Sequence, residues 1–403
     1  MSNILVITPI YPAIDLDKSN TPVVHYFVKH WKKQGAKVYV IHSISYYPLF
    51  FYLIANLPFA RPLLTNLLGV VIPKKRISKP SKYTYEDVEV YRLPIFKLFP
   101  HAYCSPKELE KKTKEICGFI DYTIGQLDSI VAHWQNSQLY ILYSLKQRYP
   151  KVKTTLVLHD NGRNIKNMNS KYKKNLLSGV DKIGFRSISI KNEFQKLYGF
   201  SYKSFLCYSG IPEEMLYGSK RELSYISKLN KFIYVGRLIK RKYPVELLLA
   251  LIEKFPSRDF QLTYIGEGPE LKKIKLIIKK NEIENNVKLL SQVDRSVVFN
   301  ELQKSDIFVM ISKNEAFGLV YLEALAAGCI TIASKNEGFD GIIIDGVNGF
   351  LSTAGSVDGL IKTISTIYSL SDEKRREIIK NGFKTAEELS ASKCAQSYLK
   401  EIL

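Results

Sequence analysis

Two carboxylates frame the stretch "SKNEAFGLVYLEALAAG", Ser312 to Gly328: Glu315 and Glu323, eight positions apart. Glu315 follows the apolar run "DIFVMIS" in a polar turn, and Glu323 lies among good helix formers that stop at Gly328. The local pattern predicts strand, loop and helix. A helix that starts this way points free backbone N–H groups, and the positive end of its dipole, at whatever lies over the loop. That is a seat for phosphate and a poor one for an idle carboxylate. Upstream, "YVGRLIKRK" puts Gly236 at a strand end, followed by Arg237, Lys240, Arg241 and Lys242. "YIGEGPE" puts Gly266 and Gly268 after the next strand, just before Pro269. Glycine lets a ligand approach the backbone, and the cations suit a diphosphate. Each signal alone is weak, because a G-x-G turn is common and a Lys-Arg run is usually a solvated face. In one region and in this order, the three reinforce each other.

The elements that must position these residues alternate in type. In the first half, strand-like runs occur at "NILVITP", "KVYVIHS", "VEVYRL", "SIVAHW", "TTLVLH", "KIGFRS" and "SFLCYS". The second half has "KFIYVG", "FQLTYIG", "VKLLS", "DIFVMIS" and "CITIAS". Helical patterns such as "VVHYFVKHWKKQG" and "PVELLLALIEKF" fall between most of them. Continuous apolar strands joined by crossover helices predict parallel sheets buried on both faces. The 403 residues exceed one ordinary core and suit two domains. The expected fold is therefore α/β, with two Rossmann-like doubly wound domains facing across a cleft. The expected boundaries are 1–210 and 211–387, with a last helix at about 388–403 packing back on the first domain. Such sheets bind ligands at the C-terminal ends of their strands.

The charge of +21 is uneven. Residues 1–210 hold 31 Lys+Arg against 13 Asp+Glu, and residues 211–403 hold 28 against 25. A basic excess confined to one half points to a polyanionic partner there, nucleic acid or an anionic membrane surface, unless it is compositional drift toward lysine. Helical crossovers without aromatic stacking motifs speak against nucleic acid. Five scattered cysteines without a CxxC pair argue for a reducing compartment and against a zinc site or a disulfide framework. The N-terminus begins directly with a strand and shows no secretory signal, so the expected location is cytoplasmic.

With these motifs in hand, the chain resembles the family 4 retaining glycosyltransferases of GT-B architecture. "VGRLIKRK", "IGEGPE", "SDIFVMIS", "NEAFGLVYLEALAAG" and "IIIDGVNGFL" look like that family's successive motifs, and "SIVAHW", "VLHD" and "YSGIPEEMLY" have its order and spacing. The resemblance implies transfer of a hexose from a nucleotide-sugar with retention of anomeric configuration, without a metal ion or other cofactor. A UDP-sugar is the favoured donor over a GDP-sugar, and bacterial cell-surface polysaccharide synthesis is the expected setting. By resemblance, Glu315 contacts the donor hexose and Glu323 holds the ribose hydroxyls. Eight residues of helix would rise about 12 Å, too far for the roughly 5–9.5 Å of a carboxylate pair flanking one glycosidic bond. Phe317, Gly318, Leu319 and Val320 would offer N–H groups to the phosphates. Gly236, Arg237, Lys242 and Gly266 complete the donor set, and the backbone near Val293 in "LLSQVD" would read the base. Two rivals share these features: a catalytically silent glycosyltransferase-like subunit, and another nucleotide-sugar enzyme of the same fold, such as an epimerase.

In the first half, His159 ends "TTLVLH" and is the second catalytic candidate beside Glu315, with Asp160, Asn161 and His133 of "VAHW" on the acceptor side. One departure stands out. Where the family has a Gly-Gly turn after the first strand, this chain has Asn20, Thr21 and Pro22, which puts donor contacts from that loop in doubt. The stretch "SISYYPLFFYLIANLPFARPLLTNLLGVVIPKKR" is too interrupted by prolines to span a membrane. It is apolar, aromatic and flanked by Lys74, Lys75 and Arg76. Two readings stand: an interfacial segment on an anionic leaflet, where Phe50, Phe51 and Tyr52 would bury, or an ordinary buried segment. The first favours a saccharide or lipid-linked acceptor handled at the inner face of the plasma membrane.

Overall fold

The computed structural model describes residues 2–16, 21–57, 60–68, 72–73, 75–217 and 229–403. The chain forms two compact units. The first holds residues 1–186, 190–207 and 394–403, and the second 187–189 and 208–393.

The sheet of the first unit has eight strands. Asn3–Thr8 lies at its middle, flanked by Lys37–His42 on one side and Ser129–His133 on the other. Lys153–Leu158, Lys182–Phe185 and Ser204–Leu206 continue outward from Ser129–His133, all in parallel. Val88–Arg92 runs parallel to Lys37–His42. The outermost strand, Ser81–Tyr85, is antiparallel to it and is joined through Glu86 and Asp87, both at positive φ. This two-residue turn lacks the Asn-Gly signal that normally marks such hairpins, which is why the strand "SKYTY" is not legible as one. The centre is packed by Phe27 and Trp31 of the helix Val23–Lys33. Tyr398 of the last helix, Ala391–Ile402, stacks edge-on against both rings, and Trp31 Nε1 donates to the carbonyl of Ala395 at 2.8 Å.

The second unit has six parallel strands in the spatial order Val287–Leu290, Gln261–Ile265, Lys231–Val235, Ile307–Val309, Ile330–Ser334 and Phe350–Ser352. Counted along the chain from Lys231–Val235, this is the order 3-2-1-4-5-6 of a doubly wound sheet. The switch in direction falls between Lys231–Val235 and Ile307–Val309, and doubly wound sheets bind their ligands at such a point, beyond the C-terminal strand ends. Both strands are buried along most of their length, with Phe232, Ile233, Ile307 and Phe308 at most 1 % exposed.

Candidate functional site

In the second unit, three loops leave neighbouring strand ends and meet. Gly236 follows Lys231–Val235 at φ 157°, and Gly266 follows Gln261–Ile265 at φ 144°. A Cβ on Gly266 would lie 2.0 Å from the carbonyl oxygen of Gly236. Only glycine lets these loops pack backbone to backbone, and Leu238 N–H donates across them to Glu267 O at 2.8 Å. After Gly236, Arg237 is exposed and its guanidinium makes no ion pair among the described residues. A single 3-10 turn, Lys240–Lys242, carries the chain into the helix Pro244–Lys254.

The third loop leaves Ile307–Val309. Arg241 fastens it by donating to the carbonyls of Lys313 and Asn314, each at 3.2 Å. Lys242 Nζ then stands 3.1 Å from Glu315 Oε2, with both side chains about 15 % exposed. The same Nζ would be 3.6 Å from a Cβ on Gly236. Gly236, Lys242 and Glu315 are thus gathered at the switch point. Glu315 N–H donates to Glu337 Oε2 at 2.9 Å, and Gly338 presses so closely on the loop that a Cβ would sit 2.4 Å from Glu315 O. Gly318 caps the helix Leu319–Ala326 at φ 84°, with its Cβ direction blocked at 2.4 Å by the ring of Tyr321. Phe317 is buried between the rings of Phe339 and Tyr208. Leu319 and Val320 are half-buried on the core and begin the helix.

Glu323 is 4 % exposed and pairs with Arg295, at the start of the helix Arg295–Gln303. Val293 packs on the core just before that helix. The two glutamates therefore have different cationic partners. Glu315 lies in the loop and Glu323 in the helix, as the strand, loop and helix pattern predicts. The helix begins at Leu319, because Gly318 turns the chain first, so Glu323 stands little more than one turn into it.

In the first unit, His133 ends the strand beside the central one, and His159 follows the next strand out. His133 Nδ1 is 3.1 Å from His159 Nε2, and the Trp134 ring stacks on His159 at 3.6 Å with an interplanar angle of 10°. His133 is completely buried, with its other ring nitrogen, Nε2, 3.5 Å from the Tyr398 hydroxyl. Burial, with the charge of Arg186 adding, holds His133 down to about 3. Burial likewise holds His159 well below its ordinary value, with Arg186 and then His133 contributing. Both rings are neutral near pH 7, one donating to the other. Asp160 accepts from Gln135 Nε2 at 2.6 and 2.7 Å and from Gly162 N–H at 2.8 Å. Asn161 donates to Glu193 at 2.6 Å. Of the loop after the first strand, Asn20 lies outside the described residues, and Pro22 directly precedes the helix Val23–Lys33.

Three participants were not foreseen: Arg295, Glu337 and Gly338. Their signal was positional, since each follows a strand of the second sheet at its C-terminal end, as the foreseen ones do. No group of three or more His, Cys, Asp or Glu among the described residues is placed to hold a metal ion.

Residues 219–385 match the family described as Glycosyl transferases group 1. An uncharacterized glycosyltransferase of Methanocaldococcus jannaschii is 26% identical over 328 residues, covering 79% of this chain and 86% of that protein. The N-acetyl-alpha-D-glucosaminyl L-malate synthase of Bacillus anthracis is 26% identical over 259 residues, 62% of this chain and 66% of that protein. Among solved structures, sucrose-phosphate synthase from Thermosynechococcus elongatus superposes with a TM-score of 0.71 at 17% identity, over 100% of this chain and 98% of that one. HepE of Anabaena, solved with UDP, gives 0.68 at 18% identity, over 100% and 99%. Two largely parallel doubly wound sheets, matched over their full length by these solved structures, define the GT-B fold. The second unit carries the match to the group 1 glycosyl transferases, and relatives named as glycosyltransferases align over 76–79% of the chain.

Proposed function

We propose that this glycosyltransferase moves a hexose from a UDP-sugar, in preference to a GDP-sugar, to a saccharide or lipid-linked saccharide acceptor, without a metal ion, in bacterial cell-surface polysaccharide synthesis. The observation that carries the reading is the convergence of Gly236, Lys242, Glu315 and the helix N-terminus at Gly318 around one switch point. The second unit takes the donor and the first the acceptor. The hard step is departure of the diphosphate, and preorganised cations and N–H groups stabilise charge where it develops. Arg237 and Lys242 supply the cations, and the amides of Phe317 to Val320 supply the N–H groups. As the diphosphate engages Lys242, Glu315 is freed to hold hydroxyls of the hexose. Glu323, steadied by Arg295, meets the ribose at the other end of an elongated ligand. The acceptor hydroxyl attacks from the side of the departing phosphate, whose oxygen takes its proton. His159, neutral and stacked on Trp134, offers a hydrogen-bonding ring nitrogen on the acceptor side. The basic first 210 residues rest on an anionic membrane surface, at the inner face of the plasma membrane.

The paired glutamates and cations favour an active enzyme over a silent subunit. Supporting the donor assignment, HepE is a full-length structural neighbour solved with UDP. A thermal-shift series with UDP, GDP and their sugars tests the reading, since a ligand at 100 times its Kd stabilises a fold by about 2.7 kcal/mol. Stabilisation by UDP is expected. No shift with any nucleoside diphosphate would overturn it.

A further inference from the structure

Beyond the C-terminal ends of Lys37–His42 and Val88–Arg92, the first sheet continues as a two-stranded extension in which Ser45–Tyr46 pairs with Ile95–Phe96. One strand of the extension runs into two short helices, Leu49–Ala55 and Ala60–Leu68, and the other into the turn at residues 97–101. One face of these elements packs inward: Tyr47, Phe51, Tyr52, Ala55 and Ile72 form a small core of their own. Phe51 and Tyr52 are each only 4 % exposed, so the expectation that they would bury in a membrane is corrected. Helical phase turns them inward and their neighbours outward.

The outward face is unusually apolar. Phe50, Leu53, Leu57 and Leu63 are 47–74 % exposed, and Leu98 and Phe99 join them at 58 % and 53 %. Nearly half of the large apolar side chains left exposed among the described residues lie in this one place. The ring of Phe99 packs on Phe51, and His101 Nε2 hydrogen-bonds the carbonyl of Leu68 at 2.7 Å, so helices and turn form one patch. Isolated exposed leucines need no explanation, but a contiguous patch marks a contact surface.

Its surroundings select the partner. Between Asp17 and Glu86 the sequence has no carboxylate, and every charged side chain there is Lys or Arg. Lys75, Arg76 and Lys79 are exposed beside the patch, and Arg76 is aimed by its bond to the carbonyl of Tyr47 at 3.1 Å. Lys74 lies outside the described residues. A second copy of the chain would bring two cationic rims together with no carboxylate between them. An anionic leaflet accepts both the apolar face and the rim. Among the described residues no helix is long and apolar enough to cross a membrane, so the contact is one of partial insertion.

We propose that these two helices and the 97–101 turn insert their apolar face into an anionic lipid leaflet. The strands ending at His42, Arg92, His133 and Leu158 are parallel, so the patch extends from the same edge of the sheet that carries His133, His159 and Trp134. Docking there presents the acceptor-side edge to a lipid-anchored acceptor. This last step rests on the transferase reading; the docking does not.

The test is co-sedimentation of the full chain with phosphatidylcholine vesicles, with and without phosphatidylglycerol, as salt rises from about 0.1 to 0.5 M. Wild-type binding should need phosphatidylglycerol, weaken with salt, and leave a fraction that salt does not remove. The exposed pair L53E/L63E should lower that salt-resistant partitioning roughly 10-fold or more per leucine. K75S/R76S should instead remove the salt-sensitive part. Both variants should keep the wild-type circular dichroism and cooperative melting, which shows that they fold, and the wild-type thermal shift with UDP. Wild-type partitioning by L53E/L63E would overturn insertion. So would a wild-type dimer in light scattering that this variant abolishes, because a second copy would then cover the patch. Absence of any shift with UDP or GDP in the wild type would overturn the transferase reading and the acceptor claim with it, whatever the vesicles show.

Discussion

Replacing Lys242 by Met keeps the aliphatic stem and removes the charge that faces Glu315 at 3.1 Å. At that separation, and an effective dielectric of about 20, the gross attraction is about 5 kcal/mol. Desolvation and side-chain ordering consume much of it, and charged hydrogen bonds net about 1.5–3 kcal/mol. The pair is only about 15 % exposed on each side, so solvent replaces little of what is lost. Lys242→Met should therefore destabilise the second unit by about 2 kcal/mol, a fall in Tm of roughly 4–8 °C for a unit of this size. Adding Glu315→Gln should recover part of the loss, because removing both partners of a pair costs less than stranding one. Scanning calorimetry of wild type, both single variants and the double variant measures the coupling, expected at about 1–2 kcal/mol. In donor turnover the cation's absence should cost about 10²–10³-fold, and the second substitution should not restore it. A double variant melting no higher than Lys242→Met would refute the energetic coupling. Wild-type affinity for UDP in Lys242→Met and in Arg237→Ala would refute the diphosphate assignment.

Three further outcomes are expected. Glu323→Gln should mainly weaken UDP binding, whereas Glu315→Gln should leave UDP affinity nearly intact and depress transfer; equal losses in calorimetric titration would contradict the two-ended arrangement. Gly318→Ala forces a Cβ to 2.4 Å from the Tyr321 ring at φ 84°, so it should lower both Tm and UDP affinity, while Gly346→Ala, at φ 73° in open space, should cost only about 1 kcal/mol and spare binding. His42 and His133 are both held down to about 3 by burial, from 6.5 when exposed. The unfolded chain gains protons there before the folded one does, so stability present above pH 6.5 is lost as pH falls toward 3, by up to about 1.4 kcal/mol per pH unit for each histidine. His133→Asn should flatten the dependence of Tm on pH below 6.5, and an unchanged slope would show that this ring does not titrate on unfolding.

What the sequence determined by itself was local. Buried parallel strands announce themselves as apolar runs, so both sheets, the strand ends at Gly236 and Gly266, and the helix after Gly318 were legible. The strands that escaped were Ser81–Tyr85, half polar and turned at Glu86–Asp87, the three-residue edge Phe350–Ser352, and the two-residue pair Ser45–Tyr46 and Ile95–Phe96. What only the tertiary structure decided was pairing and phase. Lys242 meets Glu315 because the strands preceding them are neighbours at the switch point, and Arg295 meets Glu323 because two consecutive helices pack together. Spacing along the chain carries no trace of such contacts, since they are set by strand order. Phase is likewise a matter of packing. "LFFYLI" reads as apolar throughout, and only the small core around Tyr47 and Ile72 chooses Phe51 and Tyr52 for the inside, leaving Phe50 and Leu53 to the surface.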